Sequence, residues 1–340
     1  MKTILRTFVG CTAILFGTAC MGAVKYVPEN MKVELSLKVP GNNAVNYKLH
    51  PDKLENSYFD YEWRSDNKLP ITVFHKVEER DSCMRLTVQL TAAQDVYFNY
   101  RQLLSTGYRH DNCQFYMPGF WYRRNLRSPK KAPSFHTSDS WLVREDRLSA
   151  PLTGIFSEKE KRFMTVNRLD DFSMDALATH KEGEIILSGK TSLGFTGFEN
   201  QQGIAMLSFG FPYREAPKSY IRKLTLAPEV EAFQLMKKGE SVLLTWEIME
   251  SGADDFSDFI QHTWEHCYDT YAPKPVENSY SIADMKQVLS CFFVNSLVDN
   301  QPLVYNSGIH LKVSDCERNG QAEVGFIGRV LLNAFNAWEY

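Results

Sequence analysis

The chain has 340 residues, 44% of them hydrophobic and 23% charged, with a formal net charge of -3. That balance excludes a general nucleic-acid binder, which needs a dominant basic field, and the length suits roughly two domains of typical size. Aromatic residues make up 13% of the chain, many of them in stretches without core periodicity, which favours recognition of flat or amphipathic ligands.

The first residues predict an exported protein. Lys2 and Arg6 precede an apolar run from Phe8 to Met21, and the small residues Gly17, Ala19, Gly22 and Ala23 accompany its end. This is the pattern of a secretory signal over residues 1–23, too short with these flanks to serve as a membrane span, so the expected location is the periplasm or the outer membrane. Gly17-Thr18-Ala19-Cys20 weakly resembles a lipobox that lacks its usual Leu, and a lipid on Cys20 would be the chain's route to a membrane. Beyond the signal, Cys83, Cys113, Cys267, Cys291 and Cys316 are scattered, without CxxC spacing. No metal site and no cofactor is expected from them; single buried thiols are the expectation, with one disulfide left open after export.

From residue 24 to 250 the pattern is that of strands. Val33, Leu35, Leu37 and Val39 alternate with polar residues, and similar runs recur at Leu69–Val77, Met84–Leu90, Val96–Tyr100, Phe163–Val166, Glu184–Leu187, Ile204–Phe209 and Val242–Ile248. Each is short, rich in Val, Ile, Phe and Tyr, and bounded by turn residues, which predicts a large antiparallel β-sandwich. No fixed-period repeat is visible, so a propeller or solenoid is disfavoured.

Within this region the stretch from Phe115 to Arg147 stands apart. Pro118, Pro129 and Pro133 interrupt any regular element, while Trp121, Tyr122, Phe135 and Trp141 interleave with Arg123, Arg124, Arg127, Arg144 and Arg147. Disordered segments are poor in aromatics, so the expectation is an ordered loop system carrying a ligand surface.

The period changes at residue 251. Phe256, Phe259, Ile260, Trp264, Cys267 and Tyr268 recur at helical spacing behind Asp254 and Asp255, and Pro273 ends the run. A second helix is predicted from Ser281, with Asp284 completing a capping-box-like pair, then an extended piece over Val304–Val313. A third helix is predicted from about Val324 to Trp338; its broad apolar face suggests a larger helical domain, of which 251–340 would be the incomplete opening.

PGFWYRRN (Pro118–Asn125), DSWLVREDRLSAPLTGIF (Asp139–Phe156) and EVGFIGRVLLNAFNAWEY (Glu323–Tyr340) resemble exported Bacteroidetes proteins similar to six-hairpin glycosidases. The resemblance implies an N-terminal supersandwich followed by an (α/α)6 toroid, and a glycoside hydrolase in which the toroid supplies much of the sugar cleft and usually a catalytic carboxylate. The chain departs from that pattern by stopping about where a toroid begins, which puts its activity when taken alone in doubt.

Glycoside cleavage generally needs two carboxyl groups. Asp139, in a Ser/Thr-rich turn between His136 and Trp141, and Glu323, near the start of the third predicted helix, are the catalytic candidates, with Asp146, Asp170 and Asp171 as further loop acids. Trp121, Tyr122 and Trp141 can stack on pyranose faces or anchor the loop to the core. Arg123, Arg124 and Arg144, with Asn125 and His136, can hold the carboxylates or sulfates of an acidic oligosaccharide or polysaccharide, although Arg144 and Arg147 are as readily satisfied by Glu145, Asp146, Asp170 and Asp171. A non-catalytic glycan-binding protein stays open as an alternative. So does a polysaccharide lyase using Tyr122 or His136 as base and Arg123 to neutralise a uronate.

Overall fold

The computed structural model describes residues 28–55, 57–80, 83–170, 173–274, 280–296, 305–310 and 317–323. The predicted signal over 1–23, Cys20, Asp171, Cys316 and the predicted helix over 324–338 lie outside them. The chain falls into two compact units, one up to Thr270 and one from Tyr271 onwards.

The first unit is mainly antiparallel β-structure. Its chain opens with β1 (Met31–Lys38), β2 (Val45–Lys53), β3 (Tyr61–Arg64), β4 (Ile71–Glu79), β5 (Cys83–Ala92) and the long β6 (Val96–Arg109). There follow β7 (Cys113–Met117), β8 (Trp121–Arg123), β9 (Trp141–Arg144), β10 (Leu152–Ser157) and β11 (Arg162–Arg168). After β12 (Gly183–Ile186) come β13 (Phe195–Gln201), β14 (Ile204–Phe211), β15 (Arg214–Glu215), β16 (Ser219–Arg222), β17 (Thr225–Ala227), β18 (Val230–Met236) and β19 (Ser241–Gly252). Alternation explains most of these. In β5, Met84, Leu86, Val88 and Leu90 are buried while Arg85, Thr87 and Gln89 are only partly so.

The pairings build two layers. One runs β9–β13–β14–β6–β1–β2, and the other runs β8–β7–β10–β11–β19–β5–β4–β3–β2. Strand β2 belongs to both, because Val45–Leu49 pair with β1 and His50–Lys53 pair with β3. Side chains from the two layers meet between them: Phe209 and Trp246 at 5.3 Å between ring centroids, Phe115 and Phe198 stacked at 4.0 Å. Fully burying an aliphatic or Phe side chain contributes about 1.5–3 kcal/mol, so this interlayer core dominates the stability of the unit.

Helix α1 (Phe256–Tyr271) follows β19 directly. Asp255 caps it, accepting the main-chain N–H groups of Ser257 at 2.7 Å and Asp258 at 3.0 Å; these bonds, assisted by Lys161 and Arg123, lower its carboxyl pKa. The helix buries Phe256, Phe259, Thr263 and Cys267, the first two and the thiol against Tyr116, Phe156 and Phe163 of the second layer. Although the sequence period changes at 251, this helix therefore packs as part of the sandwich unit.

The second unit contains α2 (Ile282–Ser296) and a hairpin of β20 (Tyr305–His310) and β21 (Glu317–Glu323). The predicted capping box forms: Ser281 Oγ accepts the Asp284 N–H at 3.1 Å, and Asp284 Oδ2 accepts the Ser281 N–H at 3.0 Å. Glu323 is the last residue of β21, paired with Tyr305, and the helix expected after it lies outside the described residues. Within 251–340 the described residues hold α1, α2 and this hairpin, with β20 inside the extended piece expected over Val304–Val313. No helix of the described residues is long and apolar enough to cross a membrane.

Candidate functional site

The site grows from the β7–β8 hairpin at one border of the second layer. Gly119, at φ +78°, makes the turn, and a Cβ there would also stand 2.8 Å from Ser149 Oγ. The register sets Tyr116 opposite Tyr122 and Met117 opposite Trp121. Trp121 is 0% exposed and joins the interlayer core, whereas Tyr122 on the other face is 52% exposed. Tyr122 is held in place by the Gly119 N–H donating to its hydroxyl at 3.2 Å and by the Tyr116 ring, 5.5 Å away between centroids.

After Tyr122 the chain turns through left-handed conformations at Arg123 (φ 58°) and Asn125 (φ 48°). Asn125 tolerates this conformation and repays it locally. Its side chain accepts the Tyr122 N–H at 3.1 Å and donates to the carbonyls of Phe120 and Pro133 at 3.2 and 3.1 Å. Arg124 is spent on the scaffold, donating to the carbonyls of Cys113, His110 and Asp111 while lying over the Phe135 ring at 5.1 Å. Arg123 and Arg127 are different. Both are exposed, and neither makes a salt bridge to a described residue. Arg123 lies over the Phe256 ring at 4.9 Å, so α1 fixes its direction.

Tyr122, Arg123, Arg124, Asn125 and Arg127 line a groove of about 820 Å³ together with Asp111, Gln114 and Glu158. Glu158 reaches it because β10 pairs with β7, and it accepts a hydrogen bond from the Gln114 amide. That volume lies in the ordinary range for a small-molecule site. Beside the groove the aromatic surface continues onto α1: Trp264 donates its indole N–H to the Tyr116 hydroxyl at 2.8 Å, and Tyr268, one turn on, is exposed.

The remaining predicted residues lie elsewhere. Trp141 is 1% exposed, packs at a tilt against Trp121 and donates to the Ser138 carbonyl at 3.1 Å; neither Trp121 nor Trp141 offers a ring face to a ligand. His136 is exposed and engages the Leu126 carbonyl at 2.9 Å, outside the groove lining. Arg144 grips Asp146 through Nε and Nη2 at 3.0 and 2.8 Å and also reaches Asp175 at 3.0 Å. Arg147 pairs with Glu215, not with the loop acids. Asp139 accepts the Asn200 amide at 2.7 Å and the Ser140 hydroxyl at 3.2 Å, while its carbonyl engages His110; it orders the loop and does not line the groove. Glu323 lies in the other unit. Asp111, Gln114 and Glu158 were not among the sequence candidates, since only the strand pairing carries them to the groove.

No family model matches the chain, and no curated protein does. Among solved structures, a polysaccharide lyase matches at 12% identity and TM-score 0.33, over 69% of this chain and 27% of its own. A protein of Synechocystis matches at 8% identity and TM-score 0.33, over 64% of this chain and 73% of its own. An alpha-galactosidase from Lactobacillus brevis matches at 8% identity and TM-score 0.27, over 64% of this chain and 29% of its own. The chain thus spans about a quarter of the lyase, and likenesses at these scores carry no argument about activity.

Proposed function

We propose that the chain is a carbohydrate-active protein whose sandwich binds an anionic oligosaccharide in the groove beside Tyr122. The observation that carries this reading is the pairing of one exposed aromatic face, Tyr122, with two exposed guanidinium groups, Arg123 and Arg127, in one groove. A pyranose offers C–H edges to such a ring, and its carboxylate or sulfate substituents suit a guanidinium fork. What the groove residues themselves offer is binding, through one ring face and two cations. Export and attachment through Cys20 remain part of the proposal, resting on the N-terminal sequence alone.

The test is calorimetric titration of the full chain with neutral, uronate-containing and sulfated oligosaccharides. Saturable binding of an acidic glycan, weakened in Tyr122→Ala and Arg127→Ala, is expected. Absence of binding across the panel, or binding untouched by both substitutions, overturns the reading. One second reading has an observation of its own: a lyase needs a base beside a cation that neutralises a uronate, and Tyr122 and Arg123 are adjacent in the groove. Ultraviolet-absorbing unsaturated products from a polyuronate would establish it, and their absence removes it.

A further inference from the structure

A second cluster lies away from the groove, where α1 crosses the second layer. Strand β19 sets Glu247 opposite Arg85 and Met249 opposite Cys83, so Cys83, Arg85 and Glu247 share one face of the sheet. His266 and Thr270, about one helical turn apart, come down on that face from α1. Cys83 Sγ, a carboxylate oxygen of Glu247 and a ring nitrogen of His266 all lie within 4.8 Å of one another. His266 Nε2 is 2.8 Å from Glu247 Oε1, Thr270 donates to the same oxygen at 3.0 Å, and Arg85 donates to Oε2 at 3.1 Å.

We propose that Cys83, Glu247 and His266 form a site for one divalent cation of the zinc type, with its remaining coordination position open to water. The donor set decides the class: calcium and magnesium take oxygen ligands, whereas a thiolate with an imidazole and one carboxylate suits zinc and its neighbours in the first transition row. The three donor atoms, within 4.8 Å of one another, need only small shifts to reach one metal. With nitrogen and oxygen ligands about 2.0 Å from the metal and sulfur at about 2.3 Å, tetrahedral coordination separates donors by roughly 3.3–3.5 Å. The imidazole and carboxylate would therefore move apart by about half an ångström from their 2.8 Å contact.

The supports are those a metal site uses. Arg85 fixes the carboxylate through the oxygen the metal would not take, and Thr270 orients the other. Cys83 and Glu247 are buried on paired strands, and Phe256, Phe259 and Cys267 pin the helix that carries His266. His266 alone is partly exposed, so the open coordination position faces its side of the cluster. On binding, the thiol proton leaves to solvent and the imidazole proton shifts to Nδ1, which frees the Nε2 lone pair; thiolate and carboxylate then balance the charge of the cation.

The competing role is a purely polar latch between helix and sheet, and the experiment separates the two. The full chain, kept reduced, is titrated with Co(II) and followed in the near ultraviolet, and zinc retained after dialysis is measured by mass spectrometry. One equivalent of bound metal and a sulfur-to-cobalt charge-transfer band are expected. Both should disappear in Cys83→Ser and His266→Gln, affinity should fall about 10–100-fold in Arg85→Met, and Tyr122→Ala should leave both unchanged. Should Cys83→Ser fail to fold, His266→Gln, altered at a partly exposed position, still decides the matter. No band and no retained zinc, or retention equal in both ligand variants, overturns the proposal.

Discussion

Arg168 and Glu145 form an ion pair shut away from water: Nη1 stands 2.8 Å from Oε2, and the two side chains are 3% and 0% exposed. The pair joins β11 in one layer to the turn after β9 in the other, beside the Gly194 N–H that donates to the same Oε2 at 2.7 Å. Breaking a buried pair from one side strands the remaining charge, so Arg168→Met is expected to cost about 3–5 kcal/mol. The double variant Arg168→Met with Glu145→Gln should recover part of that loss. Urea unfolding midpoints check both, and equal losses in the single and double variants would show that the Glu145 charge is not the source.

Gly197 lies opposite Leu142 in the β9–β13 ladder, where a Cβ would stand 1.9 Å from the Trp141 carbonyl oxygen. Main chain cannot yield as a flexible side chain can, so Gly197→Ala must separate the strands. A loss of about 3 kcal/mol or more is expected, accompanied by a changed tryptophan emission as Trp141 loosens. A fully stable variant with native fluorescence contradicts the packing described.

His75 is buried against Tyr100, its Nε2 2.6 Å from the hydroxyl oxygen, and burial pushes its pKa down from 6.5 to about 3. The unfolded chain therefore binds a proton that the folded chain refuses between pH 6.5 and about 3. Stability contributed by neutral His75 is complete above that window and declines as pH falls through it, by up to about 1.4 kcal/mol per pH unit. Denaturant melts from pH 7 to 4 should show this slope in the wild type and a shallower one in His75→Gln.

In the groove, Arg127→Ala is expected to weaken an acidic oligosaccharide about tenfold, near 1.4 kcal/mol, while leaving a neutral one unaffected. Added salt should weaken the acidic ligand more in the wild type than in the variant, because one exposed charge has been removed. Calorimetry at two ionic strengths measures both effects.

Much of the strand framework was legible because alternation and β-branched runs report a half-buried sheet locally: the runs at Met84–Leu90 and Val242–Ile248 became β5 and β19. The stretch over Phe115–Arg147 read as irregular because its strands β8 and β9 are only three and four residues long, below the length at which a period shows. The helix from Phe256 and the Ser281–Asp284 cap were equally plain, since spacing and capping are local signals. β20 falls within the extended piece expected over Val304–Val313, whereas its partner β21 was not legible, because its polar run gives no alternation.

The sequence by itself determined which side chains were available to the aromatic–arginine stretch, and that strands would precede a helix. Only the tertiary structure decided their uses. Trp121 and Tyr122 are neighbours of similar chemistry, yet the pleat sends one into the core and leaves the other at the groove. Arg124 and Arg127 carry the same charge, yet three main-chain carbonyls consume the first. Cys83, Glu247 and His266, spread over more than half the chain, share no sequence signal at all. They meet because β5 pairs with β19 and α1 folds back over both, and such long-range proximity is set by packing rather than by any local period.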